Sequence, residues 1–490
     1  MRGLLVASLS IAAPIAALGV AVSASAATLL EAAHLLDPRT GRELSPAAVL
    51  IDDGKIVDVG PPSKFAARKD FSVVDLGQAT LLPGLIDSHT HLLLDVVVPA
   101  EGEFARRFNP EFGPDMLLAI IESPEKRVLT GAQLAREDLE SGFTTVRNVG
   151  HSGIDGDTQL RDAINSGKVE GPHLLASGRK LIARGSYAQS LNPALADAIL
   201  DQEFLLVDSP DEGRDAVQRN VFEAVDLIKV TLGNDISEPS LAAIVDQAHR
   251  QNLKVAVHAP DHASIQEAID AGVDSIEHGN EVTDEQLKEM REKGIFFDIT
   301  PTFFDGLWEK IYPLPGLSAE LRARLATRDE HGRSAGAALV QKVVKSGVKF
   351  SAGSDMVWHF PGKTRGEASA TMFSALQHSG MAPLDVIRAV TVNAAEMLGW
   401  QDRIGSIEPG KFADIVAVTG EPLTDATELE HVKFVMKGGE IVKNELGANR
   451  AQSDPRHGRQ RSKVWLPCLR PAASSQPALR LCARQMYLRD

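Results

Sequence analysis

Six side chains in this sequence could hold metal ions between them: His89, His91, Lys229, His258, His278 and Asp355. Imidazole and carboxylate groups are the usual protein ligands of zinc and similar divalent ions. An ion held this way can turn water into a nucleophile at neutral pH. The lysine is the odd member, because an ammonium has three donors and no lone pair to offer a cation. Taken singly, each residue has an ordinary explanation. An isolated His-x-His pair is more often two loop histidines than a site. A lysine in an apolar strand commonly sends its amine out to water. The six carry weight together because they recur in order, each within or at the end of a short apolar run: "GLIDSHTH", "DLIKVTLG", "VAVHAP", "SIEHGN" and "AGSD".

Those runs belong to a longer series. "TLLPGLIDSHTH", "TTVRNVG", "HLLASGRKL", "DLIKVTLG", "LKVAVHAP", "DSIEHGN", "FFDITPT" and "VKFSAGSD" read as eight strands, with helical stretches such as "EPSLAAIVDQAHRQN", "HASIQEAIDAG" and "TDEQLKEMREKG" between them. Strands alternating with helices predict an α/β fold, a (β/α)8 TIM-like barrel over residues 83–403. In such a barrel the C-terminal strand ends converge on one mouth, and residues two apart on a strand share a face, so His89 and His91 can both point inward. Residues 27–82 and 404–447 have a different texture. Short alternating runs, including "AVLIDDGKIVDVG" around an Asp53-Gly54 turn, predict a small β-sandwich domain built from both ends of the chain.

The chain has 490 residues and a formal net charge of −15. That charge argues against nucleic acid or an anionic membrane surface as a partner. Residues 1–26 read as a signal peptide: Arg2, an apolar Ala-rich run, and Ala24-Ser25-Ala26 as the cleavage pattern. The expectation is an exported protein, periplasmic or secreted, with no stable membrane association after cleavage. The only cysteines are Cys468 and Cys482, so the body needs no disulfide. They lie in the Arg-rich stretch 448–490, which lacks a clear period and reads as a disordered tail.

The ligand set resembles that of the metal-dependent amidohydrolase superfamily, with "LLPGLIDSHTHL", "GFTTVRNVG", "IKVT", "AHRQNLKVAVHA", "GVDSIEHG", "SAGSD", "VIRAVTVNAAEMLGW" and "GSIEPGKFADIVAV" carrying the likeness from Thr28 to Glu445. Within it the chain looks most like exported dipeptidases of the Xaa-Pro and carboxypeptidase type, near imidazolonepropionase-like sequences and the amidohydrolases that cleave ochratoxin A. "SDMVWHFPGKTRGEAS" pulls toward that subgroup.

The resemblance implies a binuclear centre, often zinc. His89, His91 and Asp355 would hold one divalent ion and His258 and His278 the other. Lys229, carboxylated by CO2, would bridge them as a carbamate. A water between the ions would attack an amide carbonyl, and Asp355 would carry its proton to the leaving amine. The implied substrates are small amides or dipeptides, and relatives are often homo-oligomers. His151, Tyr187 and Arg365 follow the second, third and eighth runs and are candidates for holding a substrate carboxylate. For each, an ordinary loop hydrogen bond is the competing explanation. Pro260 stands where relatives often carry Tyr or His. Two other readings remain: a cyclic-amide hydrolase or deaminase, and a non-catalytic binding protein of the same fold. Export and Lys229 count against the first, and the complete ligand set against the second.

Overall fold

The computed structural model describes residues 27–96, 122–185, 196–233, 236–301, 319–360 and 362–446. The signal peptide and the basic tail expected from the sequence lie outside these residues. Among the described residues no helix is long and apolar enough to cross a membrane.

The two ends of the chain meet in one sheet. Ile415–Val418 runs antiparallel to Thr80–Pro83, with Ile415 opposite Pro83 and Val418 opposite Thr80. Phe434–Lys437 and Glu440–Asn444 extend that sheet on one side, and His34–Asp37 and Arg42–Leu44 on the other. A second sheet of four strands contains the hairpin expected at Asp53-Gly54. Asp52 faces Lys55 across a turn in which both central residues have positive φ. Leu30, Val49 and Ile56 from that sheet share a buried cluster with Leu81, Ile415 and Phe434 from the other.

The central strands pair in parallel throughout. Leu85–Thr90, Phe143–Asn148 and His173–Ala176 form one sheet. Seven more form a second, in the order Phe204–Leu206, Lys180–Ile182, Leu227–Thr231, Lys254–Ala259, Ser275–His278, Phe296–Ile299 and Phe350–Ala352. Backbone hydrogen bonds link both edges of the first sheet to the second: Asp226 N–H donates to the Ala176 carbonyl, and Asp355 N–H to the His89 carbonyl, each at 2.8 Å. Two details differ from the sequence reading. The third run is two strands, broken at Gly178 with φ +65°. Phe204–Leu206 is an additional short strand. Too few residues separate it from the following helix to show a period.

The helices between strands follow their local signals. Thr283 and Asp261 close capping boxes at the starts of Asp284–Lys293 and His262–Ala271, and Gly294 and Gly272 end these helices in the left-handed region. Each cap satisfies backbone groups that the helix itself leaves open, worth about 1 kcal/mol.

Candidate metal centre

Strand pleating delivers the first two histidines to one place. His89 and His91 alternate with Thr90 and are both buried. The chain that follows the Phe350–Ala352 strand lies directly against them. A Cβ at Gly353 would fall 2.3 Å from that of His89, so only glycine permits the approach. Two residues later Asp355 turns off the strand with φ +49°. Its Oδ1 stands 3.2 Å from His91 Nε2 and 3.6 Å from His89 Nε2, and its Oδ2 stands 3.8 Å from His278 Nδ1. Its side chain is 30% exposed. His278, at φ +70°, turns off its own strand in the same way. Its ring centroid lies 4.9 Å from that of His89 and 4.5 Å from that of His258.

Hydrogen bonds fix which nitrogens face inward. His89 Nδ1 is 2.8 Å from Glu277 Oε2, and His91 Nδ1 is 3.2 Å from the Gly150 carbonyl. Carbonyls and ionised carboxylates only accept, so both Nδ1 atoms donate and both Nε2 lone pairs point toward Asp355. Three acceptors, from His89, His91 and Asp355, thus converge within 4.8 Å. Acceptors cannot hydrogen-bond one another. A cation between them resolves the conflict, and this donor set suits a divalent metal.

Burial and Lys229 lower His89, but Asp355, Asp298 and Glu277 outweigh them and raise it; for the other histidines the electrostatics agree with ligand roles. Burial, partly opposed by Asp355, pushes His91 down to about 4. Burial and then the Lys229 charge push His258 down to about 3. His278 is also held well below its ordinary value by burial, with His258 adding to the effect. Neutral imidazole is the form that binds metal. Burial works against ionisation of Asp355, but His89, His91 and His278 outweigh it and keep the carboxyl below the usual carboxylate range.

Lys229 is buried in the Leu227–Thr231 strand, and its Nζ has no hydrogen-bond partner among the described residues. Burial, partly offset by Glu277, lowers it to about 8. A buried amine of this kind is costly as a free ammonium.

Beneath these ligands lies a charged layer that the sequence reading did not single out. Arg147 reaches Glu277 Oε2 at 2.7 Å and Asp298 Oδ2 at 3.2 Å. Ser275 Oγ donates to Glu277 at 2.6 Å, and Ser88 Oγ to Asp298 at 2.6 Å. Burial opposes ionisation of Glu277, yet Arg147 and His89 keep it well below the carboxylate range, while burial and then Glu277 itself raise Asp298. The available signal was a charge inside each apolar run: Arg147 in "TTVRNVG", Glu277 in "DSIEHGN", Asp298 in "FFDITPT".

Glu277 sets the tautomer and orientation of His89, so Glu277→Gln should weaken metal binding by about 10- to 100-fold. Competition with a chromophoric chelator measures this. An unchanged affinity would remove Glu277 from the support of the centre.

The three substrate-binding candidates part company. His151 is buried, its ring 5.1 Å from that of His91 and its Nε2 2.7 Å from Lys180 Nζ. Tyr187 lies outside the described residues. Arg365 is engaged with backbone. Its buried guanidinium donates to the carbonyls of Leu94 and Met356, joining the segments that follow the first and last central strands. These two bonds use one donor of each Nη and leave Nε without a hydrogen-bond partner among the described residues. His262 opens its helix on the surface, and His359 faces Asp95 at 3.2 Å.

Residues 80–442 match the Amidohydrolase family, whose members are generally binuclear and metal-dependent. Ochratoxinase of Aspergillus niger is 27% identical over 445 residues, covering 84% of this chain and 86% of its own. An imidazolonepropionase of Fusobacterium nucleatum is 24% identical over 428 residues, covering 80% and 91%. A crystal structure of a Xaa-Pro dipeptidase, with methionine bound in its active site, superposes with a TM-score of 0.68 at 28% identity, covering 85% of this chain and 99% of that one. The central parallel strands and helices are accordingly a TIM-barrel-like α/β fold, and the activity is hydrolysis of C–N bonds. This chain belongs to the amidohydrolase family.

Proposed function

We propose that this protein hydrolyses amide bonds of small substrates that carry a free carboxylate on the amine side, such as dipeptides, N-acyl amino acids and ochratoxin A, at a binuclear metal centre on a closed (β/α)8 barrel flanked by a small β-sandwich. The observation that carries this is the convergence of three acceptors, His89, His91 and Asp355, beside two further neutral histidines and the partnerless Lys229 amine. His89, His91 and Asp355 would hold one ion, and His258 and His278 the other. Lys229, after its neutral amine adds to CO2 and releases a proton, would supply an anionic oxygen to both. Zinc fits the imidazole-rich set.

When bound, the ions would bring a water's pKa toward neutral and polarise the scissile carbonyl. The chain's own groups do the rest. Glu277 and the Gly150 carbonyl hold the two Nε2 lone pairs in place. Asp355, ionised and partly open to the mouth, takes the proton released by the attacking water and returns it to the leaving amine. The A. niger ochratoxinase and the Xaa-Pro dipeptidase support this substrate class by their similarity. The imidazolonepropionase relatives favour a second reading, a cyclic amide. On the apolar leader of residues 1–26, we also propose that the protein works outside the cytoplasm.

Two measurements test the proposal. Elemental analysis of the purified protein should give two divalent ions per chain. Matched substrates ending in a free carboxylate or in an amide should differ in kcat/KM by at least about tenfold, because a charge-assisted contact is lost in the capped form. Equal values would defeat the carboxylate requirement, and turnover of cyclic amides alone would select the second reading.

A further inference from the structure

Lys180 is buried at the start of the Lys180–Ile182 strand. This strand runs parallel to Leu227–Thr231, with Leu181 opposite Val230. That register sets Lys180 level with Lys229, and paired positions on neighbouring strands present their side chains to the same face. Two lysines therefore stand side by side at the centre. Lys180 Nζ lies 2.7 Å from His151 Nε2 and 5.5 Å from the centroid of the Phe204 ring. With Lys180 as an ammonium, which has only donors, His151 Nε2 accepts and its ring is neutral. Gly150 makes the room. It sits at φ +116°, and a Cβ there would fall 2.4 Å from Lys180 Cδ.

The ammonium is thus held by an imidazole whose ring also lies against the ligand-candidate His91. Its charge is felt by His91, His151, Lys229 and His258, each of which it disfavours in the protonated form. A fixed positive group beside a set of residues suited to cations favours an anion lying between them. The amide substrates above carry one such anion. Arg365, the cation that the sequence suggested for this task, turns both Nη atoms to the carbonyls of Leu94 and Met356.

We propose that Lys180, its ammonium steered by His151, is the residue that takes the substrate's free carboxylate. The assignment rests on the amide-hydrolase reading for the identity of that anion. It makes the site selective for acids over their amides through one short-range charge contact, and it aligns the scissile bond by fixing the end of the leaving amino acid.

The test is calorimetric titration of the metal-loaded protein with l-phenylalanine and with phenylalaninamide, for the wild type, Lys180→Met, Lys180→Gln and Lys180→Arg. The double comparison separates the lysine contact from any contact the ligand makes with metal. The wild type should bind the acid at least about tenfold more tightly than the amide. The Met and Gln variants should lose that preference, and the Arg variant should keep most of it. A wild type without preference, or neutral variants that retain it, overturns the proposal. So does loss of bound metal in both neutral variants, which would make Lys180 part of the scaffold of the centre. If the acid is preferred through Lys180 but neither phenylalanine dipeptides nor N-acyl phenylalanine are hydrolysed, the anchor stands and the proposed substrate class fails.

Discussion

Asp355→Asn leaves a folded protein whose turnover is reduced at least about a thousandfold. The fold should survive because the backbone needs little from the carboxylate. The Asp355 N–H bond to the His89 carbonyl is a main-chain contact. The positive φ of 49° is one that Asn tolerates as well as Asp. What disappears is the charge. In the wild type His89, His91 and His278 keep the carboxyl ionised despite burial, so it is available both as an anionic ligand and as a proton acceptor. The neutral amide offers a weaker ligand oxygen and no site for a proton. Steady-state kinetics on protein of measured metal content separate the two losses. Near wild-type turnover, in this variant or in rigorously metal-free protein, would sink the mechanism.

Lys229→Ala should lose bound metal and, with it, activity by a similar factor. The neighbours Ile228 and Val230 are buried in the main apolar cluster, so they hold the strand in register while Lys229 faces the centre. Removing the side chain deletes the anionic bridge and leaves a gap beside Lys180 and the histidines. A small carboxylic acid fits that gap, and formate or propionate should restore part of the activity in proportion to its concentration. Intact-protein mass spectrometry of the wild type should show the CO2 adduct under mild conditions. An unmodified lysine in a fully metallated and active enzyme would contradict the carbamate.

Much of this site could be read from the chain before folding was considered. The alternation of His89, Thr90 and His91 and the apolar run before each ligand are local signals. They depend on strand pleating, which acts over a few residues. The hairpin at Asp53-Gly54 was legible for the same reason, since the turn residues and the alternation lie side by side.

The contacts that tune the centre were decided by tertiary structure. His89 and Glu277 are 188 positions apart, and Arg147 and Asp298 are 151 apart. Which charges meet in that buried layer depends on the order and register of several parallel strands. A shift of one residue in any strand would turn its inward side chains outward. The same holds for Lys180, which gains its meaning only when Leu181 pairs with Val230. Arg365 shows the converse. Its type suited a carboxylate, but helix Arg365–Ala370 brings its Nη atoms against the Leu94 and Met356 carbonyls, contacts that no local signal announced. Residue types and spacing therefore determined which chemistry was possible, while strand register determined which charges became neighbours, because pairing energy is set between distant segments and is invisible along the chain.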